Sequence, residues 1–130
     1  MPIKALDHVN IVAADLDETM AFYARVLGLR PQARPDALAS AIPGGWLFDD
    51  EGRALIHLIT HDVARHGESR APTGSIDHVA FACQDFAGTL AHIEGLGIPH
   101  RVNRRKYGDF SQIFLTDPNN VKLELNFPGE

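Results

Sequence analysis

Four side chains able to donate a lone pair to a metal stand at corresponding places in a chain that says nearly the same thing twice. LDHVNIVAADLDETMAFYARVLGL, from Leu6 to Leu29, returns as IDHVAFACQDFAGTLAHIEGLGI, from Ile76 to Ile98. The third position of each copy is a histidine, His8 and then His78. Each copy closes on a short apolar strand with one polar intruder: ALIHLI carries His57, and VKLELNF carries Glu124. Aligning Arg53 with Asn120 sets His57 opposite Glu124. Imidazole and carboxylate are the ligands of divalent first-row metals. A lone strand histidine is usually structural, but four ligand-capable residues at repeat-equivalent positions and matching parity point to a metal held by His8, His57, His78 and Glu124.

The elements that must position these groups follow from periodicity. Val9, Ile11 and Ala13 alternate with His8, Asn10 and Val12, as expected of a strand with one face in the core. Asp15 with Glu18 reads as a helix start, Leu16, Met20, Tyr23 and Leu27 as its apolar stripe, and Gly28 as its end. A short strand is expected after Arg30, bounded by Pro31 and Pro35, then a second at Trp46 to Phe48, a turn at Asp49 to Gly52, and a third at Ala54 to Ile59. In the second copy Asp85 matches Asp15, and Leu90, Ile93 and Leu96 give the stripe. Strands follow at Pro99 to Asn103, Ser111 to Leu115 and Val121 to Phe127, with Asp117 to Asn120 as the last turn. Each copy reads as strand, helix and three strands: module one at 1–60, a linker at 61–74 and module two at 75–130, together one domain. In Val121 to Phe127 the apolar parity should meet a helix. The opposite parity would place His8, Asn10, His57, His78, Lys122, Glu124 and Asn126 on a free face.

A chain of 130 residues has the size of a single domain, and its composition is that of an ordinary globular protein. The formal net charge of −5 opposes nucleic acid and anionic membrane surfaces, so neither is an expected partner. The start of the chain lacks the basic region and apolar core of a secretory signal, and a cytoplasmic location is expected. The single cysteine, Cys83, cannot close an intrachain disulfide and reads as a buried strand residue. His61, His66, His92 and His100 read as surface residues, although His61 lies near His57 in sequence. The basic residues Arg101, Arg104, Arg105 and Lys106 offer an anchor for a substrate carboxylate or phosphate, but read first as a solvated loop and strand edge. Trp46, Phe48, Phe110 and Phe114 are candidates to line the free face, Phe114 foremost.

The two DHV openings at Asp7 to Val9 and Asp77 to Val79, FYARVLGL at Phe22 to Leu29, and FLTDPNNVKLEL at Phe114 to Leu125 resemble the vicinal oxygen chelate superfamily, which includes glyoxalase I, extradiol dioxygenases, methylmalonyl-CoA epimerase and fosfomycin-resistance enzymes. The resemblance implies an α+β fold in which two tandem βαβββ modules form a cupped eight-stranded mixed sheet with helices on its outer face. It implies metal ligands at the positions of His8, His57, His78 and Glu124, and a small substrate whose two neighbouring oxygens chelate the metal. The ion would be Fe(II), Ni, Zn, Mn or Co. It also implies a homodimer, often with each site completed by one module from each chain.

Three activities fit to different degrees. A glyoxalase-type lyase or isomerase would use Glu124, or His57, to move a proton, but glyoxalase I typically has Glu on both closing strands, and Asn10 and Val12 stand where bacterial glyoxalases carry an Arg. An Fe(II) extradiol ring-cleaving dioxygenase would use His8, His78 and Glu124 as a facial triad, with His57 as acid or base; Phe114 stands where that family has Tyr. A ligand-sequestering protein of the bleomycin-resistance type is the non-catalytic alternative, and such proteins generally lack this ligand set. Asn10, Trp46, Phe114, Lys122 and Asn126 are the expected substrate-pocket residues.

Overall fold

A computed structural model describes residues 2, 5–34, 43–66 and 76–130. It divides into two compact units, Met1–Arg70 and Ala71–Glu130. The first holds β1 (Val9–Ala13), α1 (Leu16–Leu27), β2 (Arg30–Ala33), β3 (Gly44–Phe48), β4 (Ala54–Thr60) and the single turn α2 (Val63–His66). The second holds β5 (His78–Ala82), α3 (Phe86–Gly95), β6 (Arg101–Arg104), β7 (Phe110–Thr116) and β8 (Lys122–Pro128). The βαβββ order expected from the repeat is present in both.

Each unit forms its own four-stranded mixed sheet, in the orders β1-β4-β3-β2 and β5-β8-β7-β6. The opening and closing strands of each module pair in parallel, with Val9 opposite Ile56 in the first and His78 opposite Lys122 in the second. Extending the first ladder by one residue sets His8 opposite Leu55, so His57 lies two residues along, as Glu124 lies two along from Lys122. This register puts each opening histidine and each closing polar residue diagonally on one face. His8 itself immediately precedes the β1 ladder, whereas His78 begins β5.

Parity sorts the faces as expected. Ile11, Ala13, Ile56 and Leu58 are buried in the first unit, and Leu123, Leu125 and Phe127 in the second. Fully burying each of the larger side chains contributes roughly 1.5–3 kcal/mol. The α1 stripe differs from the expected one: Thr19, Phe22, Tyr23 and Val26 are its buried residues, while Leu16, Met20 and Leu27 are half-buried. Thr19 can turn inward because its hydroxyl donates to the Asp15 carbonyl at 2.8 Å, which removes the penalty for burying it. Asp15 caps α1 by accepting from the Glu18 N–H at 2.9 Å, and Gly28 ends the helix at φ 70°, a left-handed conformation that favours glycine.

In the second unit Asp85 accepts from the Gly88 N–H at 3.0 Å, and the Glu130 carboxylate accepts from the N–H groups of Asp85 and Phe86 at 3.0 and 2.9 Å. Charge and cap therefore fix the start of α3, where Phe86 meets Phe127 edge-on at 5.4 Å. The 117–120 turn is built around buried Asp117, whose carboxylate accepts from the N–H groups of Asn119 and Val121 at 2.7 and 2.9 Å. That turn sets where β8 begins, and with it the parity of Glu124.

Candidate metal centre

The open face of the second unit is organised around Glu124. His78 Nε2 lies 3.0 Å from Glu124 Oε2. Gln112 Nε2 donates to the other carboxylate oxygen at 2.7 Å and to Asn126 Oδ1 at 3.0 Å. The Gln112 amide is fixed in turn, because its oxygen accepts from Asn103 Nδ2 at 2.7 Å, while Asn103 Oδ1 accepts from the Lys106 N–H at 3.1 Å. One oxygen of Glu124 is thus committed to the amide network and the other faces the histidine. Asn103, only 7 % exposed, makes this network a built feature of the sheet.

The opening histidines share a second contact. His8 Nδ1 lies 2.6 Å from the Asp7 carboxylate, and His78 Nδ1 lies 2.9 Å from that of Asp77. A carboxylate only accepts, so at His8 the proton resides on Nδ1 and Nε2 keeps its lone pair, the arrangement usual for metal-bound histidine, whereas His78 faces a carboxylate at each nitrogen, Asp77 at Nδ1 and Glu124 at Nε2. The hydrogen bond from His78, and then the Lys122 ammonium 3.8 Å away, hold Asp77 below the usual carboxylate range.

The first unit places different chemistry on the same scaffold. The His8 and His57 rings stack with centroids 3.7 Å apart and planes 13° from parallel. A ligated ion lies near the plane of its imidazole, and planes so nearly parallel do not meet close to the rings. In this arrangement the two rings cannot share one ion. Burial pushes His57 below the ordinary imidazole range, with the His8 charge adding to the shift, Asp7 opposing it and Arg34 contributing further. Trp46 lies opposite His57 in the β3–β4 ladder, its ring 5.4 Å away, with Phe48 6.3 Å beyond.

Asn10, exposed, is the β1 partner of His57; Phe114 is the β7 partner of Glu124; Lys122 and Asn126 flank Glu124 on β8. The structure therefore groups Asn10 and Trp46 with the His8–His57 pair, and Phe114, Lys122 and Asn126 with the His78–Glu124 pair. The donors come as pairs, and among the described residues no three His, Cys, Asp or Glu side chains form a ready cluster. By donor type the His78–Glu124 pair could hold a divalent ion, imidazole and carboxylate both being ligands for one.

Gln112 was not singled out by spacing or motif. Its signal is a polar residue on the open-face parity of β7, between Phe110 and Phe114, where an amide is unexpected unless it has partners. Several expectations are revised. Cys83 is half-buried and follows β5, its thiol directed to the Phe81 carbonyl at 3.7 Å; burial pushes it above the ordinary thiol range. His61, His66 and His100 are half-buried instead of surface residues: the His61 and His66 rings stack at 5.5 Å, and His100 Nδ1 contacts the Ile98 carbonyl at 2.8 Å. Pro35 and most of the linker lie outside the described residues.

Comparison with known proteins agrees with this fold. The sequence model of the Glyoxalase/Bleomycin resistance protein/Dioxygenase superfamily matches residues 5–125. The chain belongs to this superfamily. It is 27% identical over 125 residues to Glyoxylase I 4 of Arabidopsis thaliana, covering 95% of this chain and 70% of the relative. It is also 27% identical over 126 residues to the uncharacterized protein YaeR of Escherichia coli K12, covering 95% of each. Among solved structures, the genomically encoded fosfomycin resistance protein FosX of Listeria monocytogenes, complexed with Mn(II) and sulfate, superposes with a TM-score of 0.66 at 20% identity, over 96% of this chain and 93% of that one. The last likeness concerns the fold alone.

Proposed function

We propose that this superfamily member is a divalent-metal-dependent enzyme of the glyoxalase type, a lyase or isomerase acting on a small substrate whose two neighbouring oxygens chelate the metal. The observation that carries the reading is the His78–Glu124 pair, 3.0 Å apart, backed on one side by Asp77 and on the other by Gln112. A structural salt bridge needs neither the amide network nor a second carboxylate on the histidine. His8, oriented by Asp7 in the same way, is the repeat-equivalent donor. His57 joins the ligand set only if its ring turns out of the stack; within the stack it is available to accept and return a proton.

When bound, the metal supplies Lewis acidity, offsetting negative charge on a carbonyl or enolate oxygen. The protein's own part is to orient and to move protons. Gln112 keeps Glu124 Oε1 occupied, so Oε2, which faces His78, is the atom turned toward a ligand or a substrate proton. Low basicity at His57 keeps it neutral and able to accept a proton near pH 7. Trp46 and Phe114, each one strand away from a closing polar residue, give apolar walls.

Ring cleavage by Fe(II) is the second reading: the His8 and His57 rings do not share one ion within the stack, as expected where one of them is a ligand and the other an acid or base. The test is metal content of protein purified with and without oxygen exclusion, paired with oxygen uptake on a catechol panel. Nickel, zinc, manganese or cobalt without uptake supports the lyase or isomerase; iron with uptake replaces it by the dioxygenase. Protein that takes up no divalent ion overturns both. A homodimer is the expected assembly, checked by sedimentation of the metal-loaded protein.

A further inference from the structure

The sheet of the second unit divides the basic residues of β6 and its following turn. Arg104 points to the helix side, its guanidinium 5.1 Å from the Phe86 ring centroid. Arg105 lies 3.5 Å from the Asp109 carboxylate and donates to the Gly129 carbonyl at 2.8 Å. Lys106 sits 5.4 Å from the Tyr107 ring. Arg101 takes the other parity and lies on the face of Glu124, its guanidinium 4.2 Å from the Phe114 ring centroid. Among the described residues Arg101 meets no carboxylate, whereas Lys122, the other cation of that face, is paired with Asp77 at 3.8 Å.

Register puts Arg101 opposite Phe114 and Phe114 opposite Glu124. Strands stand about 4.8 Å apart, so Arg101 begins roughly two strand spacings from Glu124, and stacking over Phe114 brings its charge back to about one. Stacking also fixes the guanidinium plane. It covers one face with an aromatic ring and leaves the N–H edge free, the edge that takes a carboxylate or phosphonate with two parallel hydrogen bonds. Phe114 stands between Arg101 and Glu124 in the ladder, and among the described residues the two form no ion pair. One end of the row is suited to a chelating oxygen pair and the other to an oxyanion.

We propose that Arg101 is the anchor for an acidic group of the substrate, and that the substrate is therefore a small organic acid whose anionic group lies two to four bonds from its chelating oxygens. This inference rests on the metal-enzyme reading for the chelating end of the ligand. Gln32 stands at the place of Arg101 in the first unit, opposite Trp46, so the anchor belongs to one unit only.

Malate and 2-hydroxybutyrate test it, because both offer a 2-hydroxycarboxylate chelate and only malate carries a second carboxylate. Each is titrated calorimetrically into Mn(II)-loaded wild type, Arg101→Met, Arg101→Lys and Arg104→Met. Wild type and Arg104→Met are expected to bind malate about tenfold or more tightly than 2-hydroxybutyrate. Arg101→Met is expected to lose about tenfold of that preference, keeping only what the second carboxylate gains at Mn(II) itself, with wild-type Mn(II) affinity and wild-type affinity for 2-hydroxybutyrate, and Arg101→Lys to restore part of the loss. No preference in wild type, or a preference undiminished in Arg101→Met, overturns the anchor. Mn(II) uptake is measured separately. If wild type takes up none, the metal reading fails and the same two acids are compared on metal-free protein, where a preference lost in Arg101→Met supports the anchor and no preference overturns it.

Discussion

The two units carry the same rows of side chains with different contents. Across the first sheet the row through the closing polar residue reads Asn10, His57, Trp46, Gln32; across the second it reads Ala80, Glu124, Phe114, Arg101. An aromatic residue stands beside the polar one in both. The neighbouring row differs more. In the second unit it holds Gln112 and Asn126, continued by Asn103. In the first, Gly44 stands where Gln112 does, and Ile59 where Asn126 does. A Cβ at Gly44 would collide with the Leu58 carbonyl and with the Arg34 side chain, which lies across it. A carboxylate has an amide network beside it; a histidine has a cation and a glycine.

The lesson is that the repeat sets positions while the neighbouring row sets chemistry. Glu124, with one oxygen held by Gln112, is equipped to stay pointed. His57, half-buried, stacked on His8 and near Arg34, is equipped to stay neutral.

The most severe way to break the comparison is Glu124→Ala. Loss of this ligand is expected to abolish tight Mn(II) or Zn(II) binding by calorimetry, and wild-type affinity in the variant would remove the second unit's claim to the metal. Gln112→Leu separates the network from the ligand: affinity should fall about 10- to 100-fold, the range typical of lost supporting contacts, with the circular dichroism spectrum unchanged. An unchanged affinity would make the amide row structural only. His57→Ala sharpens the contrast from the other side, with an expected loss of metal affinity of about tenfold or less, because the stacked ring is not aimed at a shared ion. A loss equal to that of Glu124→Ala would show the two closing residues to be equivalent ligands after all. The smallest effect concerns Cys83, which occupies the place of Ala13. Burial raises its thiol, so the thiolate fraction at pH 7 is below that of a free cysteine, and iodoacetamide should alkylate the native protein more slowly than a cysteine peptide. The rate should rise only as pH climbs past the ordinary thiol range.

Much of this was legible in the sequence because strand parity and helix caps are local properties. The faces of β1, β4, β5 and β8 followed from alternation, and Asp15 and Asp85 from their spacing to the first helical turns. The α1 stripe was read one position off, since a hydrophobicity pattern does not register that the Thr19 hydroxyl bonds within its own helix. The stack of His8 on His57 and the contact of Gln112 with Glu124 were hidden for a different reason. Parity says which face a side chain takes, while cross-strand register says which side chains it meets, and register depends on turns such as Asp117 to Asn120. The split of the basic residues belongs to the same class: Arg101 and Arg104 look alike in sequence and lie on opposite faces of β6.

The parallel pairing of β5 with β8 has a consequence for folding. His78 and Glu124 come from opposite ends of their module, with α3, β6 and β7 between them in sequence although their strands are direct neighbours in the sheet. Contacts so distant in sequence close late and slowly. A ligand held by both residues therefore binds only the completed sheet and opposes its opening, by about 2.7 kcal/mol at a free concentration a hundred times its Kd. Hydrogen exchange of β5 and β8 should slow as metal is added, which makes the site a reporter on the last step of its own assembly.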